Sequence, residues 1–283
     1  MKSFLSKINQ ADNLALAGKM YVFFLTLYFS NISHHYFFGF IALLIIYGII
    51  EKEFIFKSVF WLSICLLILP GLISKLNITA NHAYLTFYVA ILFLLAAYFK
   101  KIKNEILYKN SKFILGIVMG FAVLQKLLSD TFMSGSSLAY MNYGGGFFTH
   151  FKRFFPQNQE IINANLNRIS EQTNGFDGLQ TTVEFVSPNW LIEFDATLLV
   201  WIILLVEIVF CVMLFVKNQY VRNSFFMLFM LGLISFRIET GFASLLCILL
   251  LLQAQNDKPI FKLAYIAIFG LFISMILTKL GVH

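Results

Sequence analysis

The chain is a succession of apolar runs broken by short polar segments. A helix that crosses a bilayer needs about 20 mostly apolar residues. Runs of that kind lie near 14–31, 35–50, 56–75, 82–99, 112–128, 194–216 and 260–279. In the third of them, Pro70 and Gly71 predict a kink or an early end. A longer apolar region covers 223–253, with the charged pair Arg237 and Glu239 inside it. It reads as two short or tilted helices meeting at a charged turn; the alternative is one long tilted helix. Irregular backbone at membrane depth survives only where protein or a wet cavity surrounds it.

The stretch 129–192 is long and polar, and Gly144, Gly145 and Gly146 break structure within it. From Glu160 to Thr173, the apolar residues Ile161, Ile162, Leu166 and Ile169 predict an amphipathic helix ended by Asn174-Gly175. The expected fold is therefore all-α: a polytopic membrane helix bundle of about 8–9 membrane segments with a small external helical cap. Three regions follow: N-terminal membrane helices over 1–128, an external loop and cap over 129–192, and C-terminal membrane helices over 193–283.

Composition agrees with the pattern. Hydrophobic residues make up 59% of the 283 and charged residues 12%. A soluble globular chain is nearer a quarter charged, and this one has too little polar surface to cover a soluble core of its size. The net charge of +7 is not a nucleic-acid signal, because its lysines fall in short breaks between apolar runs. Lys2 and Lys7, Lys52 and Lys57, the five lysines of 100–112, and Lys217 with Arg222 alternate with breaks at 31–35 and 75–82 that carry none and one. The positive-inside rule then places the N-terminus in the cytoplasm and 129–192 outside. A bacterial inner membrane is the expected location, and the N-terminal stretch has no pattern of a cleaved signal. Cys65, Cys211 and Cys247 lie in apolar runs and read as small hydrophobes rather than a disulfide framework.

Charges inside apolar runs are the candidate chemistry, because each is costly in hydrocarbon. Lys126 ends the fifth run. It is either a partly desolvated base or nucleophile, or a side chain that snorkels to the outer interface beside Ser129 and Asp130. Glu207 has apolar residues on both sides and is too short to snorkel. It is either a functional carboxylate or a structural partner inside the bundle. Arg237 and Glu239 are either a buried pair, with Glu207 as a further partner for the arginine, or an interfacial turn. Convergence of Lys126, Glu207, Arg237 and Glu239 on one polar cavity is expected, since mutual pairing offsets their cost. His34, His35, His82 and His150 match no metal-ligand spacing, and no metal is expected.

The segment Gly120–Tyr140, with Lys126-Leu127, Asp130, Phe132 and Gly135, resembles the HTTM and vitamin K-dependent gamma-carboxylase-like membrane family. The spacing from lysine to the aromatic residue is one longer here. The helix bearing Glu207 and the region 225–252 resemble the same family's later helices. DoxX-like membrane proteins share a similar Lys-Leu pattern and are the weaker alternative. In the gamma-carboxylase, the lysine at this motif position deprotonates vitamin K hydroquinone, so the resemblance implies a base role for Lys126 and a quinone- or lipid-like molecule as the bound species. Two functions of different class follow. One is a membrane enzyme acting on such a molecule. The other is a non-enzymatic subunit that binds, anchors or matures another membrane or exported protein. A transporter is third, since no inverted repeat is visible. Membrane lipids are expected partners in every case.

Overall fold

The computed structural model describes residues 12–31, 53–74, 81–143, 160–168, 196–236 and 240–277. Every regular element among them is helical. In chain order these are α1 (Asn13–Asn31), α2 (Ser58–Ser74), α3 (Asn81–Tyr98), α4 (Lys103–Leu127), α5 (Asp130–Met133), α6 (Ser136–Tyr143), α7 (Ala196–Met213), α8 (Gln219–Phe236), α9 (Thr240–Gln253) and α10 (Pro259–Leu277). Residues 160–168 add a short helical stretch. It covers the first part of the amphipathic helix expected in the cap; the remainder of that helix and the apolar run at 35–50 lie outside the described residues.

The N-terminal half packs around aromatic rings. On α1, Leu14, Ala17, Tyr21 and Phe24 are buried, a spacing that keeps them on one helical face. Tyr21 and Trp61 both stack against Phe93, with ring centroids 5.5 and 4.7 Å away. Their polar atoms are satisfied as burial demands: the Tyr21 hydroxyl donates to the Thr86 carbonyl at 2.6 Å, and Trp61 Nε1 donates to the Ile55 carbonyl at 2.7 Å. Gly18 makes this approach possible. A Cβ there would stand 3.0 Å from both Ile55 and Trp61 side-chain atoms.

The opposite face of α2 shows what kind of solvent the helices meet. Val59, Leu62, Leu66 and Ile73 form an exposed apolar stripe at helical spacing. A helix apolar on both its buried and its exposed faces fits a lipid surround rather than water. Among the described residues, three helices are long and apolar enough to cross a membrane: Lys100–Leu127, counted with the turn that precedes α4, Ala196–Met213 and Pro259–Leu277. The eight or nine spans expected from the runs are not shown: α2 and α9 are 17 and 14 residues long, and the run at 35–50 lies outside the described residues. α9 is the shorter of the two and is enclosed by protein. Its residues from Ala243 to Leu252 are all buried, so its apolar run marks a central protein-packed helix. Its 14 residues cover only about 21 Å, against a hydrocarbon thickness of about 30 Å. It packs on α10, α4, α1 and α3.

Two local expectations are corrected. The fifth helix does not start at 112: α4 begins at Lys103, so Lys103, Lys109 and Lys112 are helical. Glu105 and Lys109 pair one turn apart, and Lys112 lies over the Phe215 ring at 4.1 Å, which lets the polar sequence join the helix. Nor does Pro70 end α2, which continues to Ser74.

The region 223–253 is two helices. Arg222 at the start of α8 pairs with Asp257 just beyond α9, and Gln219 accepts from the Lys258 backbone N–H at 3.0 Å. Helices of these lengths can bring those ends together only by running antiparallel. Phe236 and Thr240 therefore lie at the opposite end of the bundle. Many of the basic breaks meet at the first end: Asp12 pairs with Lys103, Asn13 with Gln255, and Gln255 with the Asn104 carbonyl. Gln253 donates to the Tyr108 carbonyl and to Ser111, at 2.6 and 2.7 Å.

Candidate functional site

The site is built on the C-terminal end of α4, where it meets α7. These helices are antiparallel: Ala196 at the start of α7 lies against Gly135, and Leu214 beyond its end lies against Gly116. Lys126 Nζ donates to Glu207 Oε1 at 2.6 Å. By the register that Gly116 and Leu214 set, the residue level with Lys126 is near Leu204, so the lysine reaches about three residues, ~4.5 Å, deeper to find its partner. Helix geometry explains the direction. A Cα–Cβ bond tilts toward the helix N-terminus, so a lysine at the C-terminal end of α4 projects back into the bundle. The side chain pairs with Glu207 on α7 instead of with Asp130 beside it in sequence.

Burial of the pair is unequal. The side chains of Lys126 and Glu207 are 26% and 13% exposed. Lys126 also lies 5.8 Å from the centre of the Phe132 ring, close enough for a weak cation–π attraction. Toward the start of α7 is a small separate core of Phe132, Leu138, Leu199, Val200 and Leu204, with Val123 and Ile203 at its edge. The pair is thus bordered on that side by the turn after α4 and by apolar side chains of α7.

The motif residues around Lys126 each have a local task. Ser129 caps the four-residue α5, accepting from the Phe132 N–H at 3.3 Å. That turn swings Phe132 back into the small core. Gly135 has φ +77°, and a Cβ there would stand 2.9 Å from the Ala196 Cβ; only glycine takes that conformation freely. Gly135 therefore locks the turn after α4 onto the first residue of α7, which holds Glu207 at the right height. Asp130 is exposed in the first turn of α5.

Of the four charges expected to converge, the structure brings Lys126 and Glu207 together. Arg237 and Glu239 lie outside the described residues, as do His34, His35 and His150. Among the described residues there is no group of three metal-capable side chains. The cysteines are free thiols; Cys65 and Cys247 are buried and Cys211 partly so.

A second polar cluster, at the basic end, was not singled out by the sequence reading. Arg222 pairs with Asp257 through Nη2 and donates to the Val216 carbonyl through Nη1 at 3.3 Å. Asn223 donates to the same Asp257 oxygen at 2.8 Å and accepts from the Tyr265 hydroxyl at 2.8 Å. The signal available was an arginine and an aspartate in the two polar breaks flanking one apolar region.

No protein-family model matches the chain, and neither a curated protein nor a solved structure is significantly similar to it.

Proposed function

We propose that this is an integral membrane protein, of about 8–9 membrane segments in a bacterial inner membrane with its basic end in the cytoplasm. In this reading the Lys126–Glu207 pair is an acid–base site for a quinone- or lipid-like molecule reaching it from the bilayer, in the manner of the HTTM and gamma-carboxylase-like proteins. One observation carries it: the 2.6 Å Lys126–Glu207 hydrogen bond between two helices apolar enough to span a membrane, with both side chains still partly accessible.

The chemistry is a proton relay. In the resting pair the proton is on Lys126 and the negative charge on Glu207. An apolar molecule seated against the pair excludes water and disfavours charge separation. The proton then passes from Lys126 Nζ to Glu207 Oε1, leaving a neutral amine and a neutral acid. The amine takes the proton of the bound hydroxyl, and the resulting oxyanion is held by the ammonium so formed. Arg237 and Glu239 belong to this proposal as further members of the site.

A photoreactive quinone tests the proposal with the full chain in lipid nanodiscs. Lys126→Met is expected to lower labelling at α4 and α7 at least tenfold while leaving the melting temperature nearly unchanged. Labelling equal to wild type in a folded Lys126→Met protein sinks the acid–base reading.

The second reading is a non-enzymatic subunit that anchors or matures a membrane or exported partner, with the pair as structural glue. The outward face of α7 favours it: Leu198, Trp201, Leu205 and Val212 are all exposed, and a partner helix would cover them. Crosslinking from Trp201 to one protein, rather than to lipid, would support this second reading.

A further inference from the structure

The connection between α3 and α4 lies at the basic end, and its residues 98–102 are all exposed. Phe99 leaves helical backbone, with φ −91° and ψ 62°, and Lys100–Ile102 form one tight turn before α4 begins. Tyr98 is 68% exposed, Phe99 46% and Ile102 50%. Lys100 and Lys101 stand between them with their side chains in the open. The Tyr98 and Phe99 rings meet edge to face, centroids 4.9 Å apart, so they brace each other at the surface. Tyr98 also continues an exposed apolar face of α3, on which Tyr88 and Leu95 precede it at helical spacing.

The charges of this turn are not answered within the fold. Among the described residues, no carboxylate pairs with Lys100 or Lys101. Asp12, Glu105 and Asp257, at the same end, are held by Lys103, Lys109 and Arg222. Along this face the order is therefore apolar, aromatic, basic. A bilayer has that order from its interior outward: hydrocarbon, then an interface that suits tyrosine, then anionic headgroups that attract lysine. An acidic peptide would answer the lysines but leave the Tyr88–Leu95 face without an apolar surround. A bilayer surface accommodates both.

We propose that the turn 98–102 is an interfacial anchor that docks on the headgroups of anionic phospholipids. Lys100 and Lys101 meet the lipid phosphates, while Tyr98, Phe99 and Ile102 sit just beneath them. Every side chain involved is exposed, so the contact requires no opening of the bundle. It rests on the membrane reading but not on the Lys126–Glu207 chemistry, which is at the other end of α4.

The test uses the full chain in vesicles of equal phosphatidylglycerol and phosphatidylcholine. One lipid at a time carries a photoreactive group beside its headgroup, and adducts are located by peptide mass spectrometry. Segment 98–102 is expected to label from phosphatidylglycerol about threefold or more over phosphatidylcholine. The double variant Lys100→Gln with Lys101→Gln should bring that ratio to about one. Its melting temperature should stay unchanged, because neither lysine is paired. Salt at about 1 M, which shortens the Debye length from about 10 Å to about 3 Å, should abolish the preference in wild type. Equal labelling of wild type by the two lipids overturns the proposal and leaves the membrane reading standing. A preference that persists in the double variant overturns it too. Labelling at the other basic break, 217–222, with none at 98–102 overturns it in favour of a protein partner on this turn. Absence of labelling at both breaks would be a failure of the membrane reading itself.

Discussion

Two of the ion pairs that join helices among the described residues are built differently. Arg222 and Asp257 are each 11% exposed and sit in a mesh: Asn223, Tyr265 and the Val216 carbonyl all bond into it. The mesh ties α8 to α10 and to the turn after α9. Lys126 and Glu207 join two helices side chain to side chain, over a core of a few residues, and the lysine is a quarter exposed. A charge pair kept for architecture is surrounded until its desolvation is offset. A charge pair kept for exchange with a ligand must leave a way in. By that criterion the Arg222 pair holds the fold, and the Lys126 pair is the one we propose for chemistry.

Substitutions can break this contrast. Asp257→Ala is expected to have the largest effect, about 3–5 kcal/mol, because it leaves a buried guanidinium and strips Asn223 of its acceptor. Thermal unfolding in nanodiscs measures it. A loss under about 1 kcal/mol, the level of an exposed pair, would show that the mesh is not architectural. Gly135→Val comes next, at about 2 kcal/mol, since it forces a branched side chain into left-handed backbone and against Ala196. It should also weaken quinone labelling, because it moves the start of α7. Normal labelling in this variant would mean that the turn does not position Glu207.

Glu207→Gln is expected to cost about 1–2 kcal/mol, less than Asp257→Ala because Lys126 can relax toward the interface. Labelling should fall with it. Equal losses for the two carboxylates would erase the distinction between them. Smallest is Lys109→Gln, within about 0.5 kcal/mol, since its pair with Glu105 is solvent-exposed. A larger loss would show that the basic end depends on surface charge rather than on its buried mesh.

Much of this was legible along the chain. The run at 14–31 became α1, 56–75 became α2, 82–99 became α3, and 260–279 became α10, each within about two residues, the usual margin at helix ends. The region 223–253 is two helices, α8 and α9, as expected from a costly pair in an apolar stretch. Lys126 and Glu207 were singled out because a charge in hydrocarbon demands a partner. The start of α4 was misjudged because lysines were read as loop, whereas the Glu105–Lys109 pair and the contact of Lys112 with Phe215 keep them helical. Asp257 and Arg222 were passed over because each sits in a polar break where a charge raises no question.

The sequence by itself determined that the chain is helical, where most of its helices lie, and that they suit an apolar surround. Those properties depend on residues within a turn or two of each other and on the length of an apolar run. Only the tertiary structure decided that α9 is wrapped by protein, that Lys126 turns inward to a carboxylate 81 residues away, and that Arg222 closes on Asp257 35 residues on. Hydropathy does not distinguish lipid from a neighbouring helix, and a local pattern does not say which helix will be the neighbour. Partners so distant in sequence are chosen when whole helices pack, by the fit of their faces and by the need of each buried charge for an opposite one.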